Sequence, residues 1–191
     1  MRMLRAPGLA LTAALLACAL AGCSDADGKE SSPEPTTSAS ASPTASAPTE
    51  PSLPAAADTS DEAGARAFLE HYWDLVNYAQ ATGDVDRMRA VSATTCSGCS
   101  GIADALEQLY ADGGHLEGGE HTPNLGAATK IKTSDKSVFG YRIKVVVTYP
   151  SQVVVSADNA RDERRAGEAS FMAYVQWIDG GRWRLDILDA Q

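Results

Sequence analysis

The stretch VQWIDGGRWRLDIL, residues 175–188, decides the fold. Val175 and Trp177 flank Gln176 on one side; Trp183, Leu185 and Ile187 alternate with Arg184 and Asp186 on the other. Between them lies Asp179-Gly180-Gly181-Arg182. Alternation at period two is the mark of a strand with one buried face. A glycine-rich break between two such runs is a hairpin signal, because tight turns need positive φ and glycine adopts it without a Cβ clash. The same alternation extends upstream through Ala169, Phe171 and Ala173, through Phe139, Tyr141, Ile143, Val145 and Val147, and through Leu125, Ala127, Thr129 and Ile131. Val153–Val155 reads as a short strand or a strand-like bend after Pro150. The closing half of the chain therefore predicts four or five antiparallel strands.

The preceding segment has a different period. In DTSDEAGARAFLEHYWDLVNYAQATGD, residues 58–84, Ala65, Phe68, Leu69, Tyr72, Val76 and Ala79 make one helical face. Thr59 with Glu62 has the form of a capping box, and Gly83 is a C-terminal stop. Asp84 can cap a short second helix carrying Met88 and Val91. Ile102, Leu106, Leu109 and Tyr110 mark a third, ended by Gly113-Gly114. Three helices followed by a meander imply an α+β domain, with the helices packed on one face of a curved antiparallel sheet.

The N-terminus reads as an address. Arg2 and Arg5 precede a twelve-residue apolar run, Leu9 to Leu20. That is short of the ~20 residues a spanning helix needs and suits the h-region of a signal peptide. The run ends in Leu20-Ala21-Gly22-Cys23, which resembles a bacterial lipobox. This implies a signal over 1–22, lipidation of Cys23 and loss of Cys18 with the signal. Residues 23–58 then read as a Ser/Thr/Ala/Pro-rich tether that cannot bury enough apolar surface to order itself. The remaining 59–191 is one domain of ordinary size. The whole chain carries 16 Lys and Arg against 25 Asp and Glu, a net charge of −9. Such an acidic chain is a poor partner for nucleic acid. The expected partners are a membrane, through the lipid anchor on its outer, extracytoplasmic face, and an unidentified protein or small-molecule ligand.

The hairpin at 175–188 is similar to the last two strands of nuclear-transport-factor-2-like (cystatin-like) cone folds. The lipobox, the tether, FLEHYWDLVNYAQATGD and the nearby CSGC together resemble an uncharacterised family of actinobacterial lipoproteins. That resemblance implies a fold, with a pocket between the concave sheet face and the helices, and a location. It brings no chemistry.

Cys96 and Cys99 form a C-x-x-C unit. With His115 and His121 the spacing satisfies a C-x2-C…H-x5-H zinc pattern. However, HLEGGEH carries two glycines where a zinc finger places a helix, and a domain of this size folds without metal. A thioredoxin-like dithiol should follow a strand, and here two helices precede it. An oxidising compartment favours a structural disulfide, with Gly98 expected at positive φ in the turn between the cysteines. No metal or cofactor is expected.

Candidate pocket residues are Tyr72, Tyr141 and Trp177, with His71, Asp74, Tyr78 and Tyr174 considered beside them. Arg66, Glu70, Asp74 and Asn77 read as a solvated helix face, with His71 at its rim. No residue is assigned a catalytic role. The sequence thus leads to a non-catalytic binding or interaction module. The alternatives are an isomerase-like enzyme with an ionisable group inside the cone, or a thiol–disulfide protein using Cys96 and Cys99.

Overall fold

The computed structural model describes residues 47–132, 139–178 and 180–191. Leu20, Ala21, Gly22 and Cys23 lie outside these residues.

Helix α1 (Glu62–Thr82) is capped by Asp61, whose carboxylate accepts from the Gly64 N–H at 2.9 Å. Thr59 is not the cap; its hydroxyl donates to the Asp61 carboxylate at 2.8 Å. Gly64 is required there, since a Cβ would strike the Thr59 carbonyl. The helix stops at Gly83, at φ 78°, whose N–H donates to Ala79 O at 2.8 Å. Asp84 is not the cap of α2 (Asp86–Ala90), whose cap position is Val85; one residue before it, the Asp84 carboxylate accepts from the Asp86 N–H at 3.0 Å. Helix α3 (Ser97–Ala111) begins at Cys96, whose Sγ accepts from the Cys99 N–H at 3.3 Å.

Among the described residues seven strands follow: β1 (His115–Gly118), β2 (Thr122–Lys132), β3 (Phe139–Tyr149), β4 (Gln152–Val155), β5 (Arg161–Arg164), β6 (Gly167–Ile178) and β7 (Arg182–Ala190). They form two antiparallel sheets, β1-β4-β5 and β2-β3-β6-β7. This corrects the expectation of one curved sheet of four or five strands in a nuclear-transport-factor-2-like cone. Register explains the division. Gly118 faces Gln152 and Thr122 faces Thr148, while Arg164 faces Gln152 and Gly167 faces Tyr149. Three neighbouring strand paths therefore break at the same level, at residues 119–121, 150–151 and 165–166. Pro150 has no N–H to give the ladder. Gly118 and Gly119 sit at φ 70° and 81°, which pleated strand does not allow. Where one sheet was expected, pairing stops at this line of breaks and a second sheet begins beyond it.

In β2 a register shift between Leu125 and Ala128 reverses the faces predicted from alternation. Ala128 and Lys130 stand opposite Ile143 and Tyr141 of the buried face, and Ile131 is exposed. Arg66 holds the bulge, donating to Leu125 O and Gly126 O at 3.4 and 2.7 Å. The edge of β7 is partly covered by a parallel bridge from Ser92 to Leu185.

Helix α1 is the centre of the core. Besides the predicted face, His71, Trp73, Leu75 and Gln80 are buried, because the helix touches elements of both sheets and both other helices. A short 3-10 turn, Ala55–Asp58, buries Ala57 against α1 and β7. Order thus begins before Thr59, inside the segment read as tether. Every member of the buried core cluster lies between Ala57 and Leu188, within the compact unit Ala45–Gln191.

Candidate functional site

Between α3 and the inner face of the three-stranded sheet lies a cleft of about 530 Å³. Ile102, Leu106 and Leu109 form its helical wall, flattened by Gly98, Gly101 and Ala105; Leu116 and Val154 form the opposite wall. Leu116 and Val154 are cross-strand partners of β1 and β4, so one face of the small sheet presents both. The helical wall follows from the 102-106-109 spacing. The gap persists because α3 packs on α1, α2 and β7 and leaves the small sheet at a distance.

The floor is polar and already assembled. Gln80, in the last turn of α1, is 6% exposed. Gln152 Nε2 donates to Gln80 Oε1 at 2.9 Å and to Gly118 O at 3.3 Å. This leaves the Gln80 amide nitrogen facing His121 Nδ1, its next partner. An amide NH₂ can only donate, so Nδ1 accepts and the imidazole proton sits on Nε2. Asn77 brackets the same histidine, accepting from its backbone N–H at 2.8 Å and donating to its carbonyl at 2.9 Å. The imidazole stacks edgewise on Trp73 and on Tyr149, each at 5.6 Å between ring centres. The Tyr110 hydroxyl donates to the Gln80 carbonyl. Burial pushes the His121 pKa down, so the ring is neutral at ordinary pH. The floor therefore offers hydrogen bonds without a fixed charge. Arg164 stands at the rim, exposed and 3.6 Å from Asp162.

None of the three pocket candidates lines this cleft. Tyr72 is in the core, and burial drives its pKa far up against a smaller lowering from the Ser92 hydroxyl. Tyr141 and Trp177 gather round Trp183, with ring centres 5.9 and 5.1 Å from it. The Lys130 ammonium lies 4.7 Å over Phe139 beside them. Burial, then the carboxylates of Glu62 and Asp61, raise the Tyr141 pKa. Tyr174 is half-buried and paired with Ile187; Asp74 is exposed and Tyr78 half-buried. His71 is not at a rim: it is 2% exposed and its Nδ1 meets no partner among the described residues.

Cys96 and Cys99 stand at disulfide distance, 1.98 Å between sulfurs and 5.3 Å between Cα atoms. Both are buried. Gly98 is helical and has no positive φ. Its need is space, since a Cβ there would collide with the Leu188 carbonyl. Among the described residues no group of three or more His, Cys, Asp or Glu side chains could hold a metal. His115 instead lies 3.6 Å from Glu117. Nor is any helix among them long and apolar enough to cross a membrane.

Gln80, His121 and Gln152 were not read from the sequence as a site. One signal was available: Gln80 interrupts the apolar stripe that runs through Val76 and Ala79.

Fold and site define a class: an α+β domain of three helices and two antiparallel sheets, with an aliphatic cleft over a neutral polar floor. The chain belongs to the family described as "Family of unknown function (DUF6318)", which it matches over residues 36–189. Among solved structures it is similar to the "Crystal structure of intermembrane space region of chloroplast protein ARC6". The identity is 13% and the TM-score 0.46, over 70% of this chain and 99% of that one. No curated protein matches it.

Proposed function

We propose that this protein is an extracytoplasmic lipoprotein, anchored through Cys23, whose folded domain captures a ligand in the cleft between α3 and the small sheet. The observation that carries the binding reading is the preformed floor: Gln80 is held by Gln152 and His121 at the bottom of an aliphatic cleft. Ligand sites are concave, mostly apolar and fitted with a few placed polar groups, and this cleft has that composition. The anchor reading is supported by Arg2, Arg5, the apolar run and Leu20-Ala21-Gly22-Cys23. The buried pair Cys96–Cys99 suits an oxidising compartment.

Two measurements test the two parts. In a bacterial host that processes lipoproteins, the mature chain should carry a diacylglyceryl thioether on Cys23 and partition with membranes. A wild-type chain recovered unmodified from the soluble fraction would refute the anchor. For the cleft, native mass spectrometry of the wild type should show a bound species. Ala105→Trp, which fills the space from an exposed helical position, should remove it.

A further inference from the structure

Strand register gives the mouth of the cleft a charge, and with it a class of ligand, provided the cleft binds one as proposed above. Leu116 pairs with Val154, and Gln152, two residues before Val154, pairs with Arg164. Cross-strand partners share a face of the sheet, and so do residues two apart on one strand. Leu116, Gln152, Val154 and Arg164 therefore stand on one face of the small sheet, and all four line the cleft. The strand order is β1-β4-β5, so the aliphatic wall on β1 and β4 leads outward to Arg164 on β5. Gln80, His121 and Gln152 carry no fixed charge, which makes Arg164 the one charged side chain among the described residues lining the cleft.

Val154 and Arg164 are diagonal neighbours, with Cβ atoms about 7 to 8 Å apart, a gap that a long side chain spans. A molecule whose tail lies between Val154 and the Ile102, Leu106 and Leu109 wall thus brings its head to the guanidinium. Gly101 and Ala105 leave a flat strip on that wall, which suits an unbranched tail. The present partner of Arg164 is Asp162, 3.6 Å away, with both side chains largely exposed. That length is too great for a hydrogen bond, and an exposed pair of this kind contributes little. A ligand carboxylate can take its place and make the two parallel N–H···O contacts that a guanidinium offers. A cationic head would meet Arg164 and no described anion in the lining. A dianionic head would bring a second negative charge beside Asp162, with no second cation in the described lining to answer it.

We infer that the cleft takes an aliphatic monocarboxylate, its unbranched tail between α3 and the small sheet and its carboxylate on Arg164.

The test uses the compact unit Ala45–Gln191, which holds the whole core. Octanoate, its neutral isostere octanamide, octylammonium and octyl phosphate are titrated and followed by amide-resolved NMR. Octanoate should bind about fivefold tighter than octanamide, the effect of one exposed ion pair, and octylammonium weakest, with shifts on α3, β4 and β5. Arg164→Gln, at an exposed position, should bring octanoate down to octanamide and leave octanamide unchanged. If octanoate has no advantage, keeps it in Arg164→Gln, or binds more weakly than octyl phosphate, the monocarboxylate assignment is overturned. If Ala105→Trp still blocks the binding seen, the cleft remains a ligand site. If no probe binds, or Ala105→Trp changes nothing, the inference and the underlying reading both fall.

Discussion

Gly98 shows how one residue can serve a purpose other than the one its type suggests. Glycine between two cysteines invites a turn argument, yet Gly98 is helical and lies against the Leu188 carbonyl of β7. Gly98→Ala should therefore push α3 off β7 and cost about 2 to 3 kcal/mol, as overpacking does, read from the urea midpoint. Two histidines give the residue scale a pH signature. Burial lowers the pKa of His71, against a smaller upward pull from Asp74, and burial lowers that of His121. A lowered native pKa means that the unfolded chain binds more protons. Stability is then complete above the ordinary value of 6.5 and is lost as pH falls from there through the native values. Urea midpoints should drop between about pH 7.5 and pH 5. His71→Leu also removes the unpartnered Nδ1, so it should flatten part of that slope with little loss at the upper pH. An unchanged slope in the variant would exclude His71 as a source.

At the scale of elements, what alternation and period could reveal, they revealed: three helices, the glycines that follow α1 and α3, and the strands around Tyr141, Val175 and Leu185. What they missed has a physical cause in each case. The β2 bulge adds a residue to one strand, and a strand's period of two cannot signal where its phase will slip. Strand β5 is exposed at all four positions, so it has no apolar face to reveal it and reads as a charged loop. Strand β1 is four residues, the last of them Gly118, and Gly119 follows at once. The cleft was illegible for a related reason, since its second wall is completed by β4, about 40 residues beyond α3 and β1, through a strand pairing that periodicity does not reveal. The Cys96–Cys99 staple was legible, and its effect is local. Closing so short a loop stabilises by about 2 kcal/mol in the chain-entropy model. Cys96 also caps α3 through sulfur, and serine at that position can take over the cap. Replacing both cysteines by alanine should therefore cost about 1 kcal/mol more than Cys96→Ser with Cys99→Ala, measured by chemical denaturation under identical redox conditions. Equal losses would show that the sulfur cap contributes nothing.

At the scale of the whole molecule, the decisive feature is where order begins. Composition assigns residues 23–58 to a tether, because a Ser/Thr/Ala/Pro-rich stretch gives no sign of a core. Yet Ala57 is 2% exposed among the side chains of the core, and the Trp183 indole donates to the Thr59 carbonyl at 2.9 Å. Upstream, Glu50 meets Arg87 of α2 at 3.0 Å, a half-exposed pair that contributes little by itself. These contacts tie the entry segment to α1, α2 and β7 together, across the sequence from one end of the domain to the other. A chain started at Thr59 keeps every strand and helix but uncovers the place where Ala57 sits, and frees the residues that hold the Trp183 nitrogen. It should be less stable than one started at Ala45 by about 1 to 2 kcal/mol, a fall in Tm of about 3 to 6 °C for a domain of this size. Differential scanning calorimetry of the two chains decides it. Equal Tm values would mean that the 3-10 turn rests on a core already closed without it. An equal fall in the longer chain's Ala57→Asp variant would assign the effect to the place of that one buried methyl group.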